Sequence, residues 1–516
     1  MNLLAGHLKP AGRPDLSGAA GSAPPAAPRL GLRALTLGAA NVIEFAIQFL
    51  LPVVLVRCLD AEAFGQYRLL WLAAGTVLAV ATMAMPHSLY YFLPRSEAEA
   101  KRLYVNQTLV FLVVAGLVSA WAVSAWNPWL PGKLRGLAQH EAVVPAFILL
   151  WVVSAMLDLL PAAEERVRWQ AKTTVGLAAL RAVLLSLVAF LTRELAPVLL
   201  VLLAFVAFKV ALLLVYVARF HGLHGPVLRW RAFVDQLRYA APLGAAGALY
   251  GLRVQADQWV VAALFPLGMF ASFSIAAVLG TLMHLCRQSV NYAFLPTMSR
   301  RQATGDVTGM LALNSRGNIM VGALAFPLFA FVFVFAEELV TLVYTATYLD
   351  AAAVMRVYII GIVAFAVELS VITMLLRQAV FVMAVNAAAL ILAVALNWVA
   401  AVQIGLTGAA VGSVIVIYLD RFATLRRISL LTGVPIRRLQ NWKTIALLGL
   451  CAAVAAVFAW GVVARFFPAS GLLTRLLVGG AALTSAYVAI AASSSTCRVW
   501  FASLRSQHHV ESAAAP

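Results

Sequence analysis

Charge is what this chain has least of. Only 11% of its 516 residues are Asp, Glu, Lys or Arg, against about 25% in soluble domains. No stretch between its apolar runs is long enough to form a soluble domain of its own. Cysteine is sparse and scattered: Cys58, Cys286, Cys451 and Cys497 form no CxxC and have no histidine pair nearby, which excludes a disulfide framework and leaves no metal site to assign. A DxD motif, a Ser/His/Asp grouping and an acidic cluster at workable spacing are all missing. No catalytic residue is therefore assigned, and the chain is not read as an enzyme. His87 and His284 stand singly at helix depth and read as packed side chains. The opening "MNLLAGHLKPAGRPDLSGAAGSAPPAAPRL" contains no apolar core of the kind a cleaved signal peptide needs. Residues 1–33 are expected to be a disordered cytoplasmic tail.

What is abundant is apolar side chain, at 63% of the chain with a mean hydropathy of +0.93. A soluble core cannot hide that much, but a bilayer can. The formal charge of +18 would suggest nucleic acid in a soluble protein. Here the basic residues lie in short loops between apolar segments, so nucleic acid is excluded as a partner and the lipid bilayer takes its place.

Crossing ~30 Å of hydrocarbon takes about 20 apolar residues in a helix. Segments of that kind lie near 34–57, 66–92, 103–126, 142–160, 172–192, 196–219, 236–264, 267–297, 315–344, 352–377, 380–402, 405–428, 443–465 and 471–493. The expected fold is an all-α integral membrane protein of about 14 transmembrane helices. Residues 34–219 and 236–428 would form two six-helix bundles joined by a cytoplasmic linker at 220–235. Helices 13 and 14 (443–493) and a cytoplasmic tail (494–516) would follow. Positive charge crowds one side, with Arg95, Lys101, Arg102, Arg229, Arg231, Arg300, Arg301, Arg437 and Arg438 against Arg57, Lys133, Arg135 and Arg465 on the other. By the positive-inside rule both termini are cytoplasmic.

An internal echo supports two related halves. Helix 2 ends "YYFLPRS" (90–96) and helix 8 ends "YAFLPTM" (292–298). Both cross in the same direction, which implies a parallel repeat with a site at its interface. The alternative is chance likeness between apolar helices that end in an aromatic–Leu–Pro turn.

A charged side chain at mid-membrane costs ~2.5–3.5 kcal/mol on insertion scales, so such groups usually face a cavity or a partner. This chain places Glu44, Arg181, Lys209, Arg253, Asp257, Arg287 and Glu368 at that depth. Arg253 and Asp257 share a helix face at i, i+4. Two readings stay open for them: a self-neutralising pair that eases burial, or a charged wall on a wet cavity with Asp257 orienting Arg253. Arg287, Gln288 and Asn291 give helix 8 a polar edge. Asp158 and Asp420 fall near predicted cytoplasmic ends and need no special role. The deep cations Arg253, Arg287, Arg181 and Lys209 outnumber the carboxylates Asp257, Glu44 and Glu368, which favours an anionic headgroup such as a diphosphate. Those carboxylates would couple transport to H⁺ or Na⁺ or orient the cations, and no cofactor is called for. Pro242, Gly247 and Gly251 are candidate hinge positions in helix 7. Gly408 and Gly412 form a GxxxG pattern that reads as close packing.

Several stretches together resemble a known family. "NVIEFAIQFLLPVVLVRCLDAEAFGQYRLLWL" (41–72), "LRYAAPLGAAGALYGLRVQADQWVVAALF" (237–265), "FPLFAFVFVFAEELVTLVYTATYLDAAAVMRVYIIG" (326–361) and "NWVAAVQIGLTGAAVGSVI" (397–415) are similar to polysaccharide-biosynthesis, O-antigen-type (Wzx-like) oligosaccharide flippases. Ala346 in "YTATY" departs from the family's usual glycine-containing turn, which bears only on loop shape. The resemblance implies the fold of the multidrug/oligosaccharidyl-lipid/polysaccharide exporter superfamily. It further implies a bacterial inner-membrane flippase that turns an undecaprenyl-diphosphate-linked oligosaccharide to the periplasmic leaflet, beside polymerases and glycosyltransferases. The alternatives are a cation-coupled drug exporter of the same fold and, from another class, a membrane-embedded polymerase or glycosyltransferase.

Overall fold

A computed structural model describes residues 27–128, 142–222 and 225–494. The tail expected at 1–26, the loop around 129–141 with Lys133 and Arg135, and the tail beyond 494 lie outside the described residues, as does the side chain of Cys286. Cys58 and Cys451 are free thiols. Among the described residues every regular element is helical.

The helices follow the apolar runs, and several of them break within a run. α1 spans Ala27–Cys58. α2 comes in two pieces, Ala61–Ala81 and Met85–Phe92, parted by Met83 and Ala84 in the left-handed region just ahead of Pro86. α3 is Ala98–Ala122. α4 runs Val143–Ser154, tightens into a 3₁₀ turn over Ala155–Asp158 and resumes at Leu160–Ala163. α5 is Val167–Thr192, α6 Leu195–Phe220 and α7 the long Trp230–Leu264. α8 is split into Leu267–Ala276 and Val278–Ala303, and α9 into Val307–Val334 and Ala336–Tyr344. α10 is Asp350–Ala364 and then, after a non-helical interval, Ser370–Leu375. α11 (Ala379–Ile404), α12 (Leu406–Thr432), α13 (Trp442–Phe466) and α14 (Leu472–Ser493) complete the chain.

Each expected span has a helical counterpart, but only 12 helices among the described residues are long and apolar enough to cross a bilayer. α7 and α10 are the two that are not. α7 spends its middle on Pro242, three glycines, Arg253 and Asp257, and α10 is interrupted before it reaches spanning length. The count of about fourteen therefore stands at twelve by length and apolarity.

The packing repeats with a shift of six helices. α1 packs on α5 as α7 does on α11, α4 on α6 as α10 on α12, and α2 on α4 as α8 on α10. The neighbours α2–α3, α3–α4 and α5–α6 find their counterparts in α8–α9, α9–α10 and α11–α12. Two six-helix sets thus share one arrangement. α13 and α14 pack on each other and on α9, where the Phe335 ring fills the place a Cβ on Gly479 would take.

Small residues set the closest approaches. A Cβ on Gly408 would sit 1.9 Å from the Ala400 carbonyl oxygen, and one on Gly412 would sit 2.4 Å from the Asn397 side-chain oxygen. The GxxxG pattern therefore lets α12 cross α11 backbone to backbone. Between the two sets, α2 packs along both α7 and α8. Arg68 donates from Nε to the Ser274 hydroxyl (2.9 Å) and from Nη2 to its carbonyl (3.0 Å). At the end of α1, Arg57 donates to the carbonyls of Leu342 (2.5 Å) and Val343 (2.6 Å), the last turn of α9.

Replacing Gly412 with Leu forces the α11–α12 crossing apart and should lower stability by at least the ~1–3 kcal/mol usual for overpacking. Thermal unfolding of the purified protein checks this, and an unchanged midpoint would refute the close crossing.

Candidate functional site

The deep charges do not gather in one chamber. Five of them divide between two cavities, one in each six-helix set, while Asp257 and Glu368 are buried in helix packing beside the second. Each cavity is lined by the corresponding helices: α1, α2, α4, α5 and α6 in the first set, and α7, α8, α10, α11 and α12 in the second.

The N-terminal cavity, about 460 Å³, takes in Glu44, Asp158, Arg181 and Lys209 among amides and aromatic rings. Lys209 is buried and its Nζ donates to Asp158 at 2.8 Å, lying 5.1 Å from the Trp151 ring centre. Gln48 donates to Glu44 at 2.8 Å. Arg181 lies over Trp71, 5.4 Å from its ring centre, and its buried Nε has no hydrogen-bond partner.

The C-terminal cavity, about 380 Å³, is lined by Arg253, Arg287, Arg377, Asp420 and Arg421. A smaller annex of about 250 Å³ shares Arg287 and adds His284, Gln288 and Asn291. The polar edge expected on α8 thus lines this annex. His284, expected to be packed, is exposed there. Arg253 donates to Asn386 (2.9 Å) and pairs with Asp420 (3.2 Å). Arg287 and Arg421 both lie over Phe365, at 5.3 and 4.9 Å from its ring centre, and the Nε of each is buried without a partner.

The interruption of α10 is what positions Arg287. Glu368, 1% exposed, is the last residue but one before the helix resumes. One of its carboxylate oxygens accepts from the backbone N–H groups of Leu369 (3.1 Å) and Ser370 (2.7 Å), and the other pairs with Arg287. The freed carbonyl of Glu368 accepts from Asn314 (3.1 Å) and Asn318 (3.3 Å), whose own oxygen takes the Glu368 N–H. Irregular backbone at membrane depth survives only with such internal partners. α4 repeats the device at Asp158: its carbonyl accepts from Gln170 (3.1 Å) and its carboxylate holds Lys209.

Arg253 does line a cavity, but without Asp257 beside it. The two residues do not pair, and Asp257 does not orient Arg253. Asp257 is buried among α10, α11 and α12, accepting from Tyr358 (2.6 Å) and Ser413 (2.8 Å), with Asn397 donating to Ser413. Its charge goes into tying helices together, because α7 is packed on that side and opens toward the cavity on another, at Ala246, Tyr250 and Arg253. Asp158 and Asp420, set aside as helix-end residues, are the ion partners of Lys209 and Arg253. Asp420 lies well inside α12, which continues to Thr432 beyond its apolar run. Of the hinge candidates, Pro242 lies inside the continuous α7, Gly247 has open space around its α-carbon, and Gly251 approaches Ala79 of α2. Among the described residues no three His, Cys, Asp or Glu side chains converge as metal ligands would.

The chain matches a family described as polysaccharide biosynthesis protein over residues 54–353, more than half its length. No curated protein matches it significantly by sequence. Among solved structures it is similar to the lipid II flippase MurJ in an inward closed conformation, with TM-score 0.65 and 11% identity over 88% of this chain and 98% of that one. It is also similar to an inward-facing multidrug resistance MATE family transporter of the MOP superfamily, with TM-score 0.58 and 12% identity over 76% and 96%. A MOP superfamily transporter from Pyrococcus furiosus matches with TM-score 0.51 and 13% identity over 78% and 96%. At these identities the likeness establishes the fold: a multi-pass membrane transporter fold of that superfamily.

Glu368→Ala leaves Arg287 buried without its counter-charge, and a broken buried pair costs ~3–5 kcal/mol. Adding Arg287→Leu should recover much of the loss, as read by thermal unfolding in detergent. A single variant that melts like the wild type would show that the pair does not hold the break.

Proposed function

Because the chain belongs to the polysaccharide biosynthesis protein family, we propose that it is a flippase, carrying an undecaprenyl-diphosphate-linked oligosaccharide from the cytoplasmic to the periplasmic leaflet of the bacterial inner membrane by alternating access. The observation that carries this reading is the charge of the C-terminal cavity. Four guanidinium groups (Arg253, Arg287, Arg377 and Arg421) stand there against two carboxylates, Asp420 and Glu368. Guanidinium matches phosphate oxygens in a planar, bidentate fork, and Arg287 and Arg421 each keep a buried Nε free. In a site partly enclosed by protein an anion gains more from such donors than it would in bulk water.

The fold supports the same reading, since one of its structural relatives is a lipid II flippase. Alternating access would rock the two six-helix sets about the α2–α8 contact, with α7 flexing at Pro242 and Gly247. Of the three carboxylates considered for coupling, Asp257 and Glu368 are spent on structural bonds. Glu44, held only by Gln48 and facing the N-terminal cavity, is the best suited to exchange a coupling H⁺ or Na⁺. A drug exporter of the same fold would take cationic substrates, and the guanidinium excess opposes them. Polymerases and glycosyltransferases would act on the lipid before and after transfer.

Arg421→Ala and Arg377→Ala should each reduce surface polysaccharide at least tenfold while the protein remains in the membrane, and Arg421→Lys should retain part of the activity. Polymer is measured by gel and lectin staining, and protein by immunoblot of membranes. Normal polymer from both alanine variants would refute the cationic-cavity reading. Asp257→Ala should act differently, lowering the amount of folded protein rather than transport per molecule.

A further inference from the structure

The N-terminal cavity occupies the same place in its six-helix set as the cationic cavity does in the other, yet its chemistry is opposite in kind. Two carboxylates, Glu44 and Asp158, offset two cations, Arg181 and Lys209, so its formal charge is zero. An anion would meet the carboxylates and a cation would meet Arg181 and Lys209, so neither is favoured. Neutral hydrogen-bonding groups are left to spend. Gln170, 6% exposed, uses its Nε2 on the Asp158 carbonyl and on Thr174, and its buried Oε1 has no partner. Arg181 has an unpartnered Nε, and Asn41 contributes an exposed amide. Tyr90, 45% exposed, presents a ring and a hydroxyl to the same space.

Mixed donors and acceptors, balanced charge and an accessible aromatic face suit a neutral polyhydroxylated ring. A buried unpaired acceptor is costly to leave unmade, and a sugar hydroxyl is a donor that can satisfy the Gln170 oxygen and accept from Arg181 or Asn41 in turn. We propose that the N-terminal cavity is a saccharide subsite, binding a sugar of the glycan while the diphosphate occupies the C-terminal cavity. This inference rests on the flippase reading above. It adds that headgroup and glycan are recognised separately, one in each half.

The test compares the purified protein's affinity for undecaprenyl diphosphate with that for the same lipid carrying one N-acetylglucosamine, galactose or glucose, by native mass spectrometry in detergent. At least one sugar-bearing lipid should bind about tenfold tighter than the bare one, the contribution of one or two neutral hydrogen bonds. Gln170→Ala and Tyr90→Ala should bring that ratio close to one, and Tyr90→Phe should keep part of it. Tyr90 is exposed, so its variants test the site without threatening the fold. Arg421→Ala should weaken both lipids alike and leave the ratio intact. No gain from any of the three sugars, or a gain that survives both alanine variants, overturns the subsite. Undiminished binding of the bare lipid by Arg421→Ala overturns the headgroup reading instead.

Discussion

An interrupted helix in a bilayer has to find partners for the backbone groups it frees, because lipid offers none. That constraint organises both halves of this protein. In α10 the freed groups around Glu368 are taken up by Asn314, Asn318 and the residue's own carboxylate. In α4 the Asp158 carbonyl is taken up by Gln170. Each break brings a carboxylate to membrane depth, and each carboxylate then needs a cation. Lys209 and Arg287 are the answers. The deep charges are therefore consequences of two broken helices as much as features of a binding surface, and the cavities form where the breaks hold neighbouring helices apart.

From that common scaffold the two halves diverge in chemistry. The carboxylate–cation pair made at each break is neutral, so the character of a cavity is decided by what lies around the pair. The N-terminal set adds Arg181 and Glu44, which cancel. The C-terminal set adds Arg253, Arg377 and Arg421 against Asp420 alone. A ligand with two unlike ends would be oriented by that difference without any further device, because turning it round would move its anion from a cationic cavity to one of balanced charge.

The apolar runs made the helices and the repeat legible, since burial in lipid is a property of local sequence. Pairing was not legible, because it depends on which helices meet. Arg253 and Asp257 at i, i+4 looked like partners, but the turn of α7 sends one toward α11 and α12 across the cavity and the other into the contact with Tyr358 and Ser413. Asp158 and Asp420 fall where the apolar runs end and so read as helix-end residues, whereas α12 continues past its run as a packed helix. Gln170 and Tyr90 carry no charge and gave no signal at all. The one clue available was Tyr90's place in the repeated "YYFLPRS" stretch. The interruption of α10 was equally hidden: "FAVEL" has helix-forming residues throughout, and what breaks the helix there is the pull of Arg287 and the two asparagines.

Rocking one half against the other is feasible only if the contacts that break are cheap, and the bonds at the ends of α1 and α9 meet that condition. Arg57 is exposed and grips the last carbonyls of α9, where the helix dipole favours a cation. Water can replace those bonds as they part, so each, even with a charged donor, is worth no more than about 1.5–3 kcal/mol net. The α2–α8 contact is of another kind. The Gly65 backbone lies against the Leu267 carbonyl so closely that a Cβ there would come within 2.3 Å of it, and Arg68 is held by Ser274 close by. In the proposed alternating access, a pivot of tight backbone packing beside a seal of water-replaceable bonds would let the halves separate at the seal while staying joined at the pivot. A ligand that prefers one arrangement by a few kcal/mol is then enough to choose between the two.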